Sequence, residues 1–264
     1  ITDFGADESF SEAANKMKEH YGINVSTTAI QRITEEHAEI IHDSEDACHQ
    51  ERLSKRDNTV DTTITEIDGS MVPIVEFIIP PDKTESEVDL RKCRSLLYKE
   101  ARLALSHEQG STTPVYAATM GDVNEAGKHL RITVEAVGLS EKTHIHGVGD
   151  GAPWIANQFE KQFGAQSSYL IDFYHLCEYL AAASKHIPNS QVWIDQQKSF
   201  LKNSQPEQVL IELKPYLEPS STTDEQAPVR ACYRYIENRP GQFNYKEAIE
   251  KGLPIGSGEV ESEH

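Results

Sequence analysis

The chain has 264 residues, 38% hydrophobic and 26% charged, with 25 Lys and Arg against 43 Asp and Glu for a net charge of -18. That length suits one large domain or a domain with an added module, and no apolar run approaches the roughly 20 residues that would cross a bilayer. The start, ITDFGADESF, has neither the basic residues nor the apolar stretch of a signal peptide. The expectations are a cytoplasmic protein with no membrane partner and, since no Met opens it, a chain that begins inside a longer one. A surface built mainly to neutralise phosphates would be basic, so a nucleic-acid partner would have to be met by local cationic patches around Arg52 to Arg56 and Arg91 to Arg102. Cys48, Cys93, Cys177 and Cys232 are widely separated and form no CxxC pair, which points to reduced thiols rather than a zinc knuckle or a disulfide framework.

In chain order, SFSEAANKMKEHYG spaces Phe10, Ala13, Ala14 and Met17 as one helix face, with Ser9 or Ser11 as cap and Gly22 as stop. Ser26 can cap a second helix, Thr27 to Glu39, with Ala29, Ile30, Ile33 and Ile40 on one side. The pair reads either as a helix-turn-helix, whose second helix would present Ser26, Thr27, Thr28, Gln31 and Arg32 to a DNA groove, or as a plain helical hairpin. In the second reading Glu35, Glu36 and Glu39 lie on a solvated outer face, where they would repel phosphate.

From Asn58 the period becomes two. TVDTTITEIDGSMVPIVEF, LLYKEARLALSH and TPVYAATM read as three strands of an antiparallel meander. DVNEAGKHLRITVEAVGL follows as a helix capped by Asp122, THIHGVGD as a strand, APWIANQFEKQFG as a helix closed by Gly164, SSYLIDFYH as a strand, and LCEYLAAASKHI as a helix. From Pro188 to about Lys251 the chain is helical and polar, with LEPSSTTDEQAP as the expected mobile loop. KGLPIGSGEVESEH closes as a Gly-rich turn into a helix with fewer than two turns of chain left.

This order of elements fits an α/β fold with an RNase H-like mixed sheet core, in which acidic residues converge. Chemistry there calls for carboxylates because Mg²⁺ is a hard cation that prefers oxygen, and two such ions about 4 Å apart serve an in-line displacement at phosphorus. Asp68 lies toward the middle or end of the first strand. Asp150 stands between two glycines where the fourth strand ends, and Glu261 lies on the last helix. Gly149 and Gly151 would keep side chains away from metal and DNA.

The strings IDGSMVP, YKEARLALS, VGDGAPWI, IDFYHLCEYL and GLPIGSGEVES resemble the successive motifs of bacterial insertion-sequence transposases of the Kra type, related to the Lre group, from about Thr59 to Ser262. These are DDE enzymes. The resemblance implies that Asp68, Asp150 and Glu261 form a catalytic and metal-binding triad for two Mg²⁺ or Mn²⁺ ions. It also implies a helical insertion before the glutamate helix and a homo-oligomer acting on double-stranded terminal repeats and target DNA. Asp172 and His175 match the D-x-x-H element of related transposases, which would position the metal site or the DNA; alternatively Asp172 caps the following helix and His175 packs beside it.

The expected organisation is a helical region (1–57), the core (58–187), the insertion (188–250) and a closing turn with a truncated helix (251–264). The acidity and the early stop after Glu261 depart from the family pattern, so the chain is expected to fold its sheet and cleave little. Two rivals follow: a glycosidase with paired carboxylates, which needs no metal, and a non-catalytic DNA-binding or interaction protein descended from a transposase. His144 and His146 share a strand face and could bind a metal. Trp154, Tyr174 and Tyr179 read as core.

Overall fold

The computed structural model describes residues 1–54 and 59–258, with side chains except those of residues 45–54 and 85. The chain divides into two compact units, Ile1–Asp57 and Asn58–His264.

The first unit contains α1 (Thr2–Asp7), α2 (Phe10–Tyr21) and α3 (Thr27–Ser54). Ser9 Oγ accepts the Glu12 N–H at 3.2 Å at the start of α2, and Gly22, at φ 68°, closes it by donating its N–H to the carbonyl of Lys18; the left-handed conformation there suits glycine. Ser26 Oγ accepts the Ala29 N–H at 3.2 Å and caps α3. Ala13, Met17 and Ile30 form the buried centre of the unit. α1 was not anticipated, because six residues are too short for a periodic signal. α3 runs well past Glu39, and Ile40, expected on its packed side, is 63% exposed. At 1.5 Å per residue the 12 residues of α2 cover about 18 Å of a helix about 42 Å long, so α2 cannot reach the later turns.

The second unit is built on a five-stranded mixed sheet in the order β3-β2-β1-β4-β5. β1 (Thr62–Phe77), β2 (Arg94–Glu108) and β3 (Val115–Thr119) form the expected antiparallel meander, and β4 (His144–Gly149) and β5 (Ser167–Ile171) add in parallel. α4 (Val123–Val137), capped by Asp122, and α5 (Pro153–Phe163) are the crossover helices, and α6 (Phe173–Ser184) follows β5. This is the mixed α/β architecture expected of an RNase H-like core. Alternation along β1 separates two hydrophobic clusters. Ile67 packs with Leu130, Ile145 and Phe159 on the α4 and α5 side, while Ile64 packs with Leu170, Leu176 and Leu180 on the other.

That second cluster extends without a break into α7 (Ser190–Lys202), α8 (Pro206–Leu213), α9 (Pro228–Glu237) and α10 (Tyr245–Glu250), through Trp193, Leu201, Val209, Cys232 and Tyr245. The polar helical stretch thus forms a layer over one face of the sheet. Its loop, expected to be mobile, is organised by Glu218, whose two carboxylate oxygens accept the N–H groups of Val229 and Arg230 at 2.9 and 2.8 Å and so cap α9 from a distance. Burial pushes the Glu218 carboxyl up, but these N–H donors outweigh it and hold it below the ordinary range. Arg230 binds back to the carbonyls of Pro219 and Thr222 at 2.8 and 2.6 Å.

Candidate active site at the ends of β1 and β4

Asp68 is the seventh residue of β1, beyond the last rung of the β1–β4 ladder, where Glu66 pairs with Val148. Continued by two residues, this parallel register brings Asp68 abreast of Asp150. Continued alternation would assign both carboxylates to the face of the sheet under the insertion helices. Asp68 alternates with Ile64, which packs on that side, and Asp150 with His146, whose ring reaches the Pro254 carbonyl there. Glu66, 1% exposed, lies on the same face one step earlier. Tyr169 on β5 senses both aspartates. Burial pushes its phenol well above the usual tyrosine range, the charges of Asp150 and Asp68 each raise it further, and Arg239 opposes them.

The backbone at Asp150 is held from three directions. Asp150 Oδ1 accepts the Ala152 N–H at 2.7 Å, while Oδ2 accepts no bond among the described residues. The Gly151 N–H donates to Tyr169 Oη at 3.1 Å. From α9, the Tyr235 hydroxyl donates to the Asp150 carbonyl, and just past the helix Arg239 Nε donates to the Gly151 carbonyl at 2.6 Å. The Arg239 guanidinium lies 3.9 Å from the centre of the Tyr235 ring, which stacks on Tyr179 at 4.2 Å. The flanking glycines leave room for these neighbouring side chains. A side chain on Gly149 would meet Tyr169 Oη at 2.9 Å, and one on Gly151 would meet Tyr235 Oη at 2.6 Å and Arg239 Nε at 2.9 Å. Gly151 also has φ +84°, which disfavours any other residue.

Asp172 fulfils the capping reading and more. Its Oδ1 accepts the N–H groups of Tyr174 and His175 at 2.5 and 2.9 Å, capping α6, and its Oδ2 accepts both the N–H and the hydroxyl of Ser257 at 2.6 and 2.8 Å. Both residues are buried. The Phe173 N–H donates to Ile255 O at 2.8 Å, and the Asp172 N–H to Gly149 O at 2.7 Å. The Gly-rich turn is thereby fastened beside the strand end that carries Asp150. Glu261 itself lies outside the described residues. His175 packs edge-on against Tyr179 and Tyr235, at 5.6 and 6.0 Å, and so touches the residue that holds Asp150.

His144 and His146 do share a strand face, and Ser168 Oγ lies 3.1 Å from His144 Nε2 and 3.4 Å from His146 Nδ1. His146 Nε2 donates to Pro254 O at 2.8 Å, so both of its ring nitrogens are engaged. Burial lowers the pKa of both rings. Tyr174, expected in the core, is the second residue after the Asp172 cap and is 67% exposed. Trp154 is half-buried beneath the Arg102 guanidinium, 5.5 Å away. In the first unit Ser26, Thr27, Thr28, Gln31 and Arg32 are all exposed. Gln31 donates to Glu35 at 2.8 Å and Arg32 pairs with Glu36 at 2.7 Å, so the expected contact face carries its own acidic partners.

The donors at Asp68 and Asp150 are oxygen only, which suits Mg²⁺ or Mn²⁺ and not a thiolate-loving ion. Among the described residues no three His, Cys, Asp or Glu side chains gather closely enough to hold an ion. Tyr169, Tyr235, Arg239 and Ser257 escaped the sequence reading, and only Ser257, between two glycines in GSGE, carried a local signal. Cys93, Cys177 and Cys232 are free thiols, and Cys48 has a side chain outside those described. Among the described residues no helix is long and apolar enough to cross a membrane.

Residues 133–258 match the model of an uncharacterised protein family, UPF0236. The match covers just under half of the chain and contains Asp150, Asp172 and His175, but neither Asp68 nor Glu261. No curated protein matches the chain.

Proposed function

We propose that the chain is part of a DDE transposase that cuts and joins DNA strands by metal-dependent phosphoryl transfer. The observation that carries this reading is the β1–β4 register, whose last rung, Glu66 with Val148, lies two residues short of Asp68 on one strand and of Asp150 on the other. The five ordered motifs shared with Kra-type transposases agree with it. Asp68 and Asp150 would hold the ions, and Glu261, three residues beyond Gly258, would complete the set. When bound, two Mg²⁺ or Mn²⁺ ions activate an attacking water and stabilise the leaving 3' oxygen. The chain's own contribution is positioning. Tyr169, Tyr235 and Arg239 fix the main chain around Asp150, and Asp172 ties Ser257 and the turn before Glu261 to the same strand end. Catalysis of this kind rests on such placement, because a misplacement of about 1 Å costs on the order of a hundredfold in rate.

A second reading, a non-catalytic DNA-binding or interaction protein of transposase descent, is favoured by the acidic partners of Gln31 and Arg32. The two readings part in a Mn²⁺ titration of the chain and of its Asp68→Ala and Asp150→Ala variants, followed by incubation with labelled duplex DNA. The enzymatic reading expects each substitution to weaken Mn²⁺ binding at least about tenfold. Equal binding by all three proteins would overturn it.

A further inference from the structure

The β1–β2 ribbon outruns the rest of the sheet. β4 pairs with β1 only from Thr62 to Glu66 and β3 with β2 only from Arg102 to Ser106, whereas β1 and β2 stay paired as far as Phe77 and Arg94. Along residues 67–77 and 94–101 both outer edges therefore lack a strand partner among the described residues. Alternation and the pairs Val75↔Leu96 and Pro73↔Tyr98 put Met71, Val75, Phe77, Leu96 and Tyr98 on one face. They are 58%, 39%, 52%, 55% and 59% exposed. A two-stranded ribbon alone is marginal in water. Five such side chains, at about 150–200 Å² each and half exposed, present on the order of 400–500 Å² of apolar surface, the size of the largest patch on a soluble monomer, which is often functional.

We propose that a second copy of this chain covers this face, the two ribbons stacking antiparallel about a two-fold axis at the level of Leu97. Charge supplies the orientation. The face carries Arg94 at one end, opposite Phe77, and Glu100 at the other, opposite Met71. Antiparallel stacking sets Arg94 over the partner's Glu100 twice, with Leu96 and Tyr98 between, whereas parallel stacking would set Arg94 over the partner's Arg94. The Glu100 carboxylate is already steadied by Arg102. Stacked faces lie about 10 Å apart with side chains interdigitated, and polar side chains around the apolar centre extend the contact toward the roughly 800 Å² per partner of a stable interface. The apolar centre and the carboxylate at one end favour protein over phosphate. This inference does not depend on the metal chemistry proposed above.

Sedimentation velocity of the full chain tests it. The chain should form a dimer at concentrations up to about 100 µM, and Leu96→Asp with Tyr98→Asp should raise the dissociation constant at least about a hundredfold while far-ultraviolet dichroism stays unchanged. Arg94→Glu and Glu100→Arg should each weaken the dimer about tenfold, and the two together should restore it. A monomer throughout this range, a dimer indifferent to Leu96 and Tyr98, or a charge exchange that fails to restore association would overturn the proposal. So would ribbon variants that leave the chain monomeric yet weaken a salt-dependent binding to duplex DNA, because the face would then serve nucleic acid.

Discussion

Replacing Asp172 by alanine should loosen the candidate site and destabilise the second unit together. The carboxylate is 3% exposed and accepts four hydrogen bonds, two at the start of α6 and two from Ser257. Loss of the helix cap costs about 1 kcal/mol. Ser257, 2% exposed, would lose the carboxylate that its buried N–H is bonded to, at about 1–3 kcal/mol unless the turn opens to water. The sum is about 2–4 kcal/mol, and opening of the turn places the expectation near the lower end, with a fall in Tm of roughly 6 °C for a unit of this size. Ser257→Ala, which removes the hydroxyl bond to Asp172, should cost at least about 1 kcal/mol, and the double variant should show coupling of about 1 kcal/mol. Urea unfolding followed by tryptophan fluorescence isolates the effect, since the only two tryptophans, Trp154 and Trp193, are in the second unit. A loss below about 1 kcal/mol for Asp172→Ala, with no coupling to Ser257, would refute the idea that this carboxylate fastens the turn.

Gly151 and Gly110 have nearly the same backbone, φ +84° and +83°, but a side chain at Gly151 meets Tyr235 and Arg239 while one at Gly110 meets nothing within 4 Å. Gly110→Ala should therefore cost about 1–2 kcal/mol and Gly151→Ala at least about 1 kcal/mol more in the same urea assay; equal losses would show that the tyrosine and arginine yield freely. For His146, burial lowers the folded-state pKa below its ordinary value near 6.5, so the unfolded chain binds more protons in that window. Stability should be level above about pH 7, fall as pH drops below the ordinary value, and level off again below the folded pKa. His146→Gln should flatten part of this slope, leaving the share of His144, and an unchanged slope in unfolding curves between about pH 7 and 5 would refute the assignment.

Much of the fold was legible because its signals are local. Ser9, Ser26, Asp122 and Asp172 mark helix starts through the shape of their own side chains, Gly22 marks a stop through its backbone freedom, and alternation along THIHGVGD needs only the two faces of a strand. The order of elements, which fits an RNase H-like core, set the expectation that acidic residues on its strands, Asp68 and Asp150 among them, converge. Their register, and the face they share, came from the pairing of Glu66 with Val148, a contact between residues 82 apart whose offset depends on how every side chain beneath the sheet packs. The groups that hold Asp150 were hidden for the same reason: Tyr235 and Arg239 reach it from 85 and 88 residues away, and nothing in their own surroundings announces the carbonyls they bind. Composition could not tell which apolar residues the sheet would leave uncovered, since Tyr98 and Leu96 alternate as regularly as Leu105 and differ only in where β3 and β4 stop. Periodicity and caps are properties of a few adjacent residues, whereas a site is a coincidence of distant ones, and only the packed structure decides which distant residues meet.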